Sequence, residues 1–315
     1  MLNICARLSL PFLRGESRSH CIFCGNVYNN RLERRIDKFY NQRRNTNKMK
    51  EYEELTFADD FMFCKILQEN EDLCKELAEL SLDRKIGRIV KTEKQKSIQI
   101  TADGHGVRFD VCFEDDEKTV YDIEMQRTDT KELPLRSRYY QGMLDLDYLA
   151  KGKDYRELPD SYIIFLCTFD LFKLGYHKYS FVPKCKEVEN LELKDGTDKV
   201  FICAGGNKDD VSEDMKHFID YLAGKSAKGQ LASRINGKVK EAIQQRLWRK
   251  EYMTLKEMMK DEYEQGRKDG IEQGIEQSIC HMLDKGNSPE EIAKFCGYSI
   301  EQIKNVQEKM LHNVN

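Results

Sequence analysis

Proline is scarce, at 5 of 315 residues, and there is a single tryptophan. So little proline excludes a collagen-like or proline-rich chain and leaves long helices uninterrupted. Long apolar runs are missing too. The residues from 162 to 167 are typical of the longest, far short of the roughly 20 that a membrane-spanning helix needs. No transmembrane segment and no membrane partner are therefore expected. A strong excess of one charge is also absent, since the net charge is -3. Of the 52 basic and 55 acidic residues, 10 and 3 fall in residues 1–48, leaving 42 and 52 for the body. The body is therefore no polycation, and any hold on nucleic acid must come from a local patch. What remains is a wet, helix-rich chain, 34% charged and 40% apolar, long enough for one large domain or two ordinary ones.

The 11 cysteines are scattered and odd in number, and Cys64, Cys112, Cys167 and Cys203 lie inside apolar runs. A thiol there behaves as a small hydrophobe, which favours a reducing, cytoplasmic setting. Residues 1–48 read as a basic, disordered extension. Their apolar start lacks the charged opening and small-residue cleavage site of a secretory signal, and Met49 reads as an alternative start directly before the first patterned segment. Cys21 and Cys24 make one CxxC. A zinc site would need about two further ligands, which only Cys5 and His20 offer locally, so metal binding there stays open.

From Thr56 the patterning sharpens. Thr56 and Asp59 form a T-x-x-D cap, and Phe57, Phe61, Cys64 and Leu67 recur at helical spacing. Asn70 precedes a second helix carrying Leu73, Leu77 and Leu80. Residues 88–90 and 97–101 predict a strand pair or one irregular strand. Residues 107–113 alternate in polarity, as do 119–126 after an acidic turn, and together they predict a hairpin. A helix over 135–149 follows, then a continuous apolar strand at 161–168 buried on both faces, with short strands at 179–182 and 199–203. This order predicts an α/β sandwich in which the helix after the hairpin crosses over to a central strand.

The hairpin carries the chemistry. Val107, Phe109, Val111 and Phe113 occupy the odd positions, so a period of two turns Asp110 away from the core. Asp122, Glu124 and Gln126 share one face of the next strand. Folding about Asp116 sets Asp110 opposite Asp122 and diagonal to Glu124, about 7–8 Å apart at most. Converging carboxylates repel unless they are protonated or bound to a cation, and Mg2+ is held by one or two carboxylates plus water and phosphate oxygens. The plain alternative is that these acids solvate the outer face of a hairpin.

Asp110, then Ile123-Glu124-Met125-Gln126, then Arg136 with Tyr139-Tyr140 resembles the PD-(D/E)XK nuclease superfamily. More closely, the set is similar to the recombination-promoting nuclease (Rpn) family of transposases, in which an IExQ strand and an R-x2-3-Y-Y helix recur. The opening segment Phe57-Ala58-Asp59-Asp60-Phe61-Met62-Phe63-Cys64-Lys65 is similar to that family's start. The resemblance covers about residues 55–203, with a weaker match in the tail. It implies a restriction-endonuclease-like α/β core, a mixed sheet flanked by helices, with a helical C-terminal region. It further implies Asp110 and Glu124 as ligands of Mg2+ (or Mn2+), a catalytic set of Asp110, Glu124 and Gln126, and DNA as the substrate. The reaction implied is metal-assisted phosphodiester hydrolysis linked to recombination or transposition.

Gln126 departs from the wider superfamily, which has lysine there. Glutamine offers only neutral hydrogen bonds where lysine would supply charge. Asp60 is an accessory-ligand candidate, although an acid that opens a helix is favoured by the helix dipole anyway. Arg136 and Tyr140 are accessory positions; Arg136 reads either as a contact to phosphate or the carboxylates, or as a core-edge arginine paired with an acid. His105 reads as a plain turn residue. The rival reading is a catalytically inactive DNA- or protein-binding component of a mobile-element system.

Residues 50–225 read as the nuclease-like domain, 226–285 as charged helices and 286–315 as a small helix-turn-helix-like module. Helices are expected over 211–222 and 231–260. Gly266, Gly270, Gly274 and Ser278 recur every four residues. Each interior glycine costs a helix roughly 0.5–1 kcal/mol against alanine, so close contact with another helix, and hence a homodimer through 266–278, is one reading; a flexible linker is the other. Ser288-Pro289-Glu290-Glu291 and Ser299-Ile300-Glu301-Gln302 are two capping boxes opening two short helices. The second helix has no net charge, so a packing module competes with groove binding.

Overall fold

The computed structural model describes residues 50–94, 96–98 and 106–312. The expectations for residues 1–48, Cys21 and Cys24, the Met49 start and His105 lie outside the described residues. The chain divides into two compact units, one spanning Lys50–Thr254 and the other containing the described residues from Leu255 onward.

The first unit is built on a six-stranded mixed sheet. Its strands are β1 (Ile89–Lys94), β4 (Val111–Asp115), β5 (Val120–Gln126), β6 (Ser161–Cys167), β7 (Lys178–Phe181) and β8 (Thr197–Cys203), in the order β1-β4-β5-β6-β8-β7. A separate pair is formed by β2 (Ser97–Ile98) and β3 (Val107–Arg108). β5, β6 and β8 run parallel, while β1, β4 and β7 pair antiparallel with their neighbours. Every residue of β6 is buried, so both of its alternating faces are covered, as its unbroken apolar sequence requires.

Helix α3 (Leu133–Tyr148) connects β5 to β6 and packs Leu133, Tyr140, Met143 and Leu144 against Val120, Ile163, Phe165, Phe201 and Cys203. Phe165 and Phe201 stack with centroids 5.3 Å apart. Helices α1 (Asp60–Glu69), α2 (Glu71–Leu82), α4 (Glu213–Leu222) and α5 (Gln230–Gln244) complete the unit; α1 meets β1, β4 and α5, and α2 meets β8, α4 and α5. Arg234 of α5 pairs with Asp72 and Glu76 of α2. The expected mixed sheet flanked by helices, with the crossover helix feeding a central strand, is what forms.

Several local expectations are corrected. The first helix begins at Asp60, not Thr56, because the Asp59 carboxylate accepts from both the backbone N–H and the hydroxyl of Thr56, at 2.8 Å each. That turn precedes the helix instead of capping it. The strand expected over 107–113 is two strands: Phe109 N–H donates to the Lys96 carbonyl at 2.8 Å, tying β3 to β2, and the chain then re-enters the main sheet as β4. β1 pairs with β4, so 88–90 and 97–98 do not pair with each other. The helix expected over 231–260 breaks at Gln245, between α5 and α6 (Arg246–Asp284).

In the second unit, Ile279 of α6, Ile292 of α7 (Pro289–Cys296), and Ile303 and Val306 of α8 (Ile300–His312) form a small core. Both capping boxes form: Ser288 accepts from Glu291 N–H at 3.3 Å, and Ser299 from Gln302 N–H at 3.1 Å. A methyl added at Gly266 or Gly274 would meet nothing within 4 Å.

Candidate active site

The hairpin register decides which acids meet. Val111 lies opposite Ile123 and Cys112 opposite Asp122, so the residue facing Asp122 is Cys112, and the expected Asp110–Asp122 pairing is wrong. The two-residue offset arises because the hairpin turns about Glu117 and not Asp116: Asp115 N–H donates to the Thr119 carbonyl, and moving the centre by one residue moves every cross-strand partner by two. Continued one step outward, the register sets Asp110 across from Glu124. Their contacts are reciprocal: Asp110 N–H donates to Glu124 Oε1 at 2.9 Å, and Met125 N–H donates to Asp110 Oδ2 at 3.1 Å. Each carboxylate is held by a backbone donor at or beside the other residue, which fixes both side chains without neutralising either.

Nor does this pair lie on a wet outer face. Glu124 is 3% exposed and Asp110 half-buried, so the surface-solvation alternative does not describe them. Burial pushes Glu124 up to about 8, with the Asp110 charge adding, and pushes Asp110 up to about 6, with the Asp60 charge adding. Asp122, two residues before Glu124 on the same face, is wholly buried, and neither of its oxygens finds a hydrogen-bond donor among the described residues. Burial first, and then the charges of Glu124 and Asp110, hold its carboxyl well above the usual range. Such a group demands a proton or a nearby cation.

The other expected residues gather at the carboxyl end of β5, where open α/β sheets place their ligand sites. Arg136, in the first turn of α3, donates from one terminal nitrogen to Gln126 Oε1 at 2.7 Å and from the other to the Tyr140 hydroxyl at 2.7 Å. The second nitrogen stands 3.5 Å from Glu124 Oε2. Tyr140 is buried against Phe109 and Phe165, whereas Tyr139 is 42% exposed. Asp60, at the start of α1, is solvent-exposed, and its charge acts on Asp110.

The sequence reading missed Arg127 and Arg108. Arg127 follows Gln126 directly and pairs with Asp59, which also accepts from Lys50 at 2.7 Å. Arg108, exposed on β3, acts electrostatically on Asp110 and Asp60. No spacing signal marks either; a basic residue next to a motif acid is unremarkable in a chain so rich in charge.

Among the described residues, no three His, Cys, Asp or Glu side chains are arranged to hold a metal ion together. A hard divalent ion does not require three, because one or two carboxylates with water and phosphate oxygens suffice. The donors at Asp110 and Glu124 are oxygens, and a third carboxyl, Asp122, is buried next to Glu124. Both observations fit a hard cation such as Mg2+ or Mn2+.

No curated protein and no solved structure matches the chain. A family model described as PD-(D/E)XK nuclease family transposase matches residues 57–273, taking in the whole sheet, the Asp110–Glu124 pair and Arg136. With more than half of its length matched and a mixed sheet flanked by helices beneath the motif, the chain belongs to the PD-(D/E)XK nuclease family transposases.

Proposed function

We propose that this chain is a Mg2+- (or Mn2+-) dependent DNA endonuclease acting in recombination or transposition, with Asp110 and Glu124 as the metal ligands. The observation that carries the reading is the reciprocal clasp between buried Glu124, near the end of β5, and half-buried Asp110 across from it. A bound divalent ion supplies an activated water and neutralises charge on the scissile phosphate. The protein's own part is to hold the two carboxylates at fixed separation; because burial raises both, a bound cation takes the place of the protons they would otherwise carry. Gln126, locked by its own donation to the Thr128 carbonyl at 2.7 Å, presents a neutral amide beside them. Arg136 acts on Glu124 and Asp110, and Arg108 on Asp110 and Asp60, so cationic groups stand beside the acids where a phosphate would lie. Asp60 and Tyr140 complete the site from α1 and α3.

Residues 50–225 are assigned to the nuclease core, with 226–285 and 286–315 as accessory helical segments; self-association through 266–278 is part of the same proposal. Among the described residues, no helix is long and apolar enough to cross a membrane.

Nicking of supercoiled plasmid DNA by the full chain tests the reading. Cleavage should require Mg2+ or Mn2+ and fall at least 100-fold in Asp110→Asn and in Glu124→Gln, each still folded by circular dichroism. Cleavage that survives both substitutions, or no cleavage by the native chain, would favour a noncatalytic DNA- or protein-binding component instead.

A further inference from the structure

The transition state of phosphodiester hydrolysis gathers negative charge on the phosphoryl oxygens, and preorganised positive groups aimed at it are the largest single aid a site provides. Gln126 is neutral and supplies none. We infer that Arg136 is a catalytic residue that contacts the scissile phosphate, with Gln126 and Tyr140 as its positioning residues. This rests on the nuclease reading above and adds to it the group that carries the protein's positive charge.

The geometry distinguishes Arg136 from a structural arginine. A guanidinium kept to neutralise a buried acid takes it in a short, forked pair. Here it is drawn aside: both terminal nitrogens reach their close partners at 2.7 Å on the neutral Gln126 and Tyr140, and Glu124 is left at 3.5 Å, too long for a good hydrogen bond. The guanidinium carbon lies 5.2 Å from the centre of the Tyr140 ring, so the ring supports the cation as well. Gln126 is itself anchored through its amide nitrogen to Thr128, which turns its oxygen toward Arg136. Of the five N–H groups of a guanidinium, two make short bonds to these side chains, and beyond them the nearest acceptor among the described residues is Glu124 Oε2 at 3.5 Å. The Arg136 side chain is 32% exposed, so a substrate can reach it beside the carboxylate pair. The cation is thus held next to Glu124 without occupying it, which leaves Glu124 for a metal and the remaining donors for phosphate oxygens.

The test compares the full chain with Arg136→Gln, Arg136→Ala, the double variant Gln126→Lys/Arg136→Gln, and Asp110→Asn. Plasmid cleavage, DNA affinity in EDTA and melting temperature are read for each. Arg136→Gln should lose about 100- to 1,000-fold in turnover, the range for one transition-state donor, while melting within a few degrees of the native chain. Millimolar guanidinium should restore part of the activity of Arg136→Ala. Gln126→Lys should restore at least tenfold to Arg136→Gln by bringing a cation from β5 to the same place. Arg136→Gln cleaving within threefold of the native chain while Asp110→Asn is inactive would overturn this inference alone. So would a loss that tracks the folded fraction and responds to neither guanidinium nor Gln126→Lys. Equal cleavage by Asp110→Asn and the native chain, or none by either, would remove the nuclease reading and this inference with it.

Discussion

Two carboxyl groups locked against each other in a buried place destabilise the metal-free protein whenever both are charged, and this sets its response to pH. In the folded state Asp110 and Glu124 are raised above the ordinary carboxylate range by burial and by neighbouring acids. Between the unfolded value near 4 and the folded values of about 6 and about 8, the native state therefore binds more protons than the unfolded state. Stability should then be fullest below pH 4 to 5, as far as these groups decide it, and fall as pH rises toward 8. The slope is about 1.4 kcal/mol per pH unit for each extra proton bound. Urea unfolding in EDTA from pH 5 to pH 8 should show this fall, and Glu124→Gln should flatten it; equal stability at both ends would contradict the raised values. The sequence showed that Glu124 and Gln126 share a face and that Asp110 meets their strand. It misplaced the partner of Asp110 by two residues, because the hairpin turns about Glu117 and not Asp116. Side-chain period fixes which face a residue takes, and the turn fixes which residue lies across from it.

Elements were legible where apolar period and end signals agreed. The strand from Ser161 to Cys167 and the helix after Asn70 form within a residue or so of expectation, and both capping boxes in the second unit close as read. The failures lie where local chemistry admits two arrangements. Asp59 and Thr56 can cap in either sense, and the structure makes Asp59 the acceptor. The break at Gln245 leaves no mark in a stretch without proline or glycine. The caps also fix a magnitude. Helix α7 has only 8 residues, too few to persist on propensity alone, so its capping box matters more than it would in a long helix. Ser288→Ala should cost about 1 kcal/mol. Hydrogen exchange at the Ile292 and Ile303 amides should speed about fivefold, while amides of β6 keep their protection. Unchanged exchange at Ile292 would show that packing, not capping, holds the helix.

For the whole molecule, the sheet explains why the site stands where it does. β5, β6 and β8 run parallel, and β5 delivers Glu124 and Gln126 to its carboxyl end just before α3 leaves with Arg136 and Tyr140. One β-strand and the helix that follows it thus bring an acid, an amide, a guanidinium and a phenol together, and the hairpin adds Asp110. The crossover was legible as a strand-helix-strand order with a wholly apolar second strand. Burial of the acids was not, because the alternation made the face of Asp122 and Glu124 look like the outer one, whereas Val120 on that same face packs with Leu133, Tyr140, Met143 and Leu144 of α3. The central claim is that Asp110 and Glu124 hold one divalent ion between them. Crystals of the full chain soaked in Mn2+ and measured at a wavelength where manganese scatters anomalously test it most directly. The account expects a single anomalous peak within about 2.0–2.4 Å of one oxygen from each carboxylate; a peak elsewhere, or none at saturating Mn2+, would contradict it.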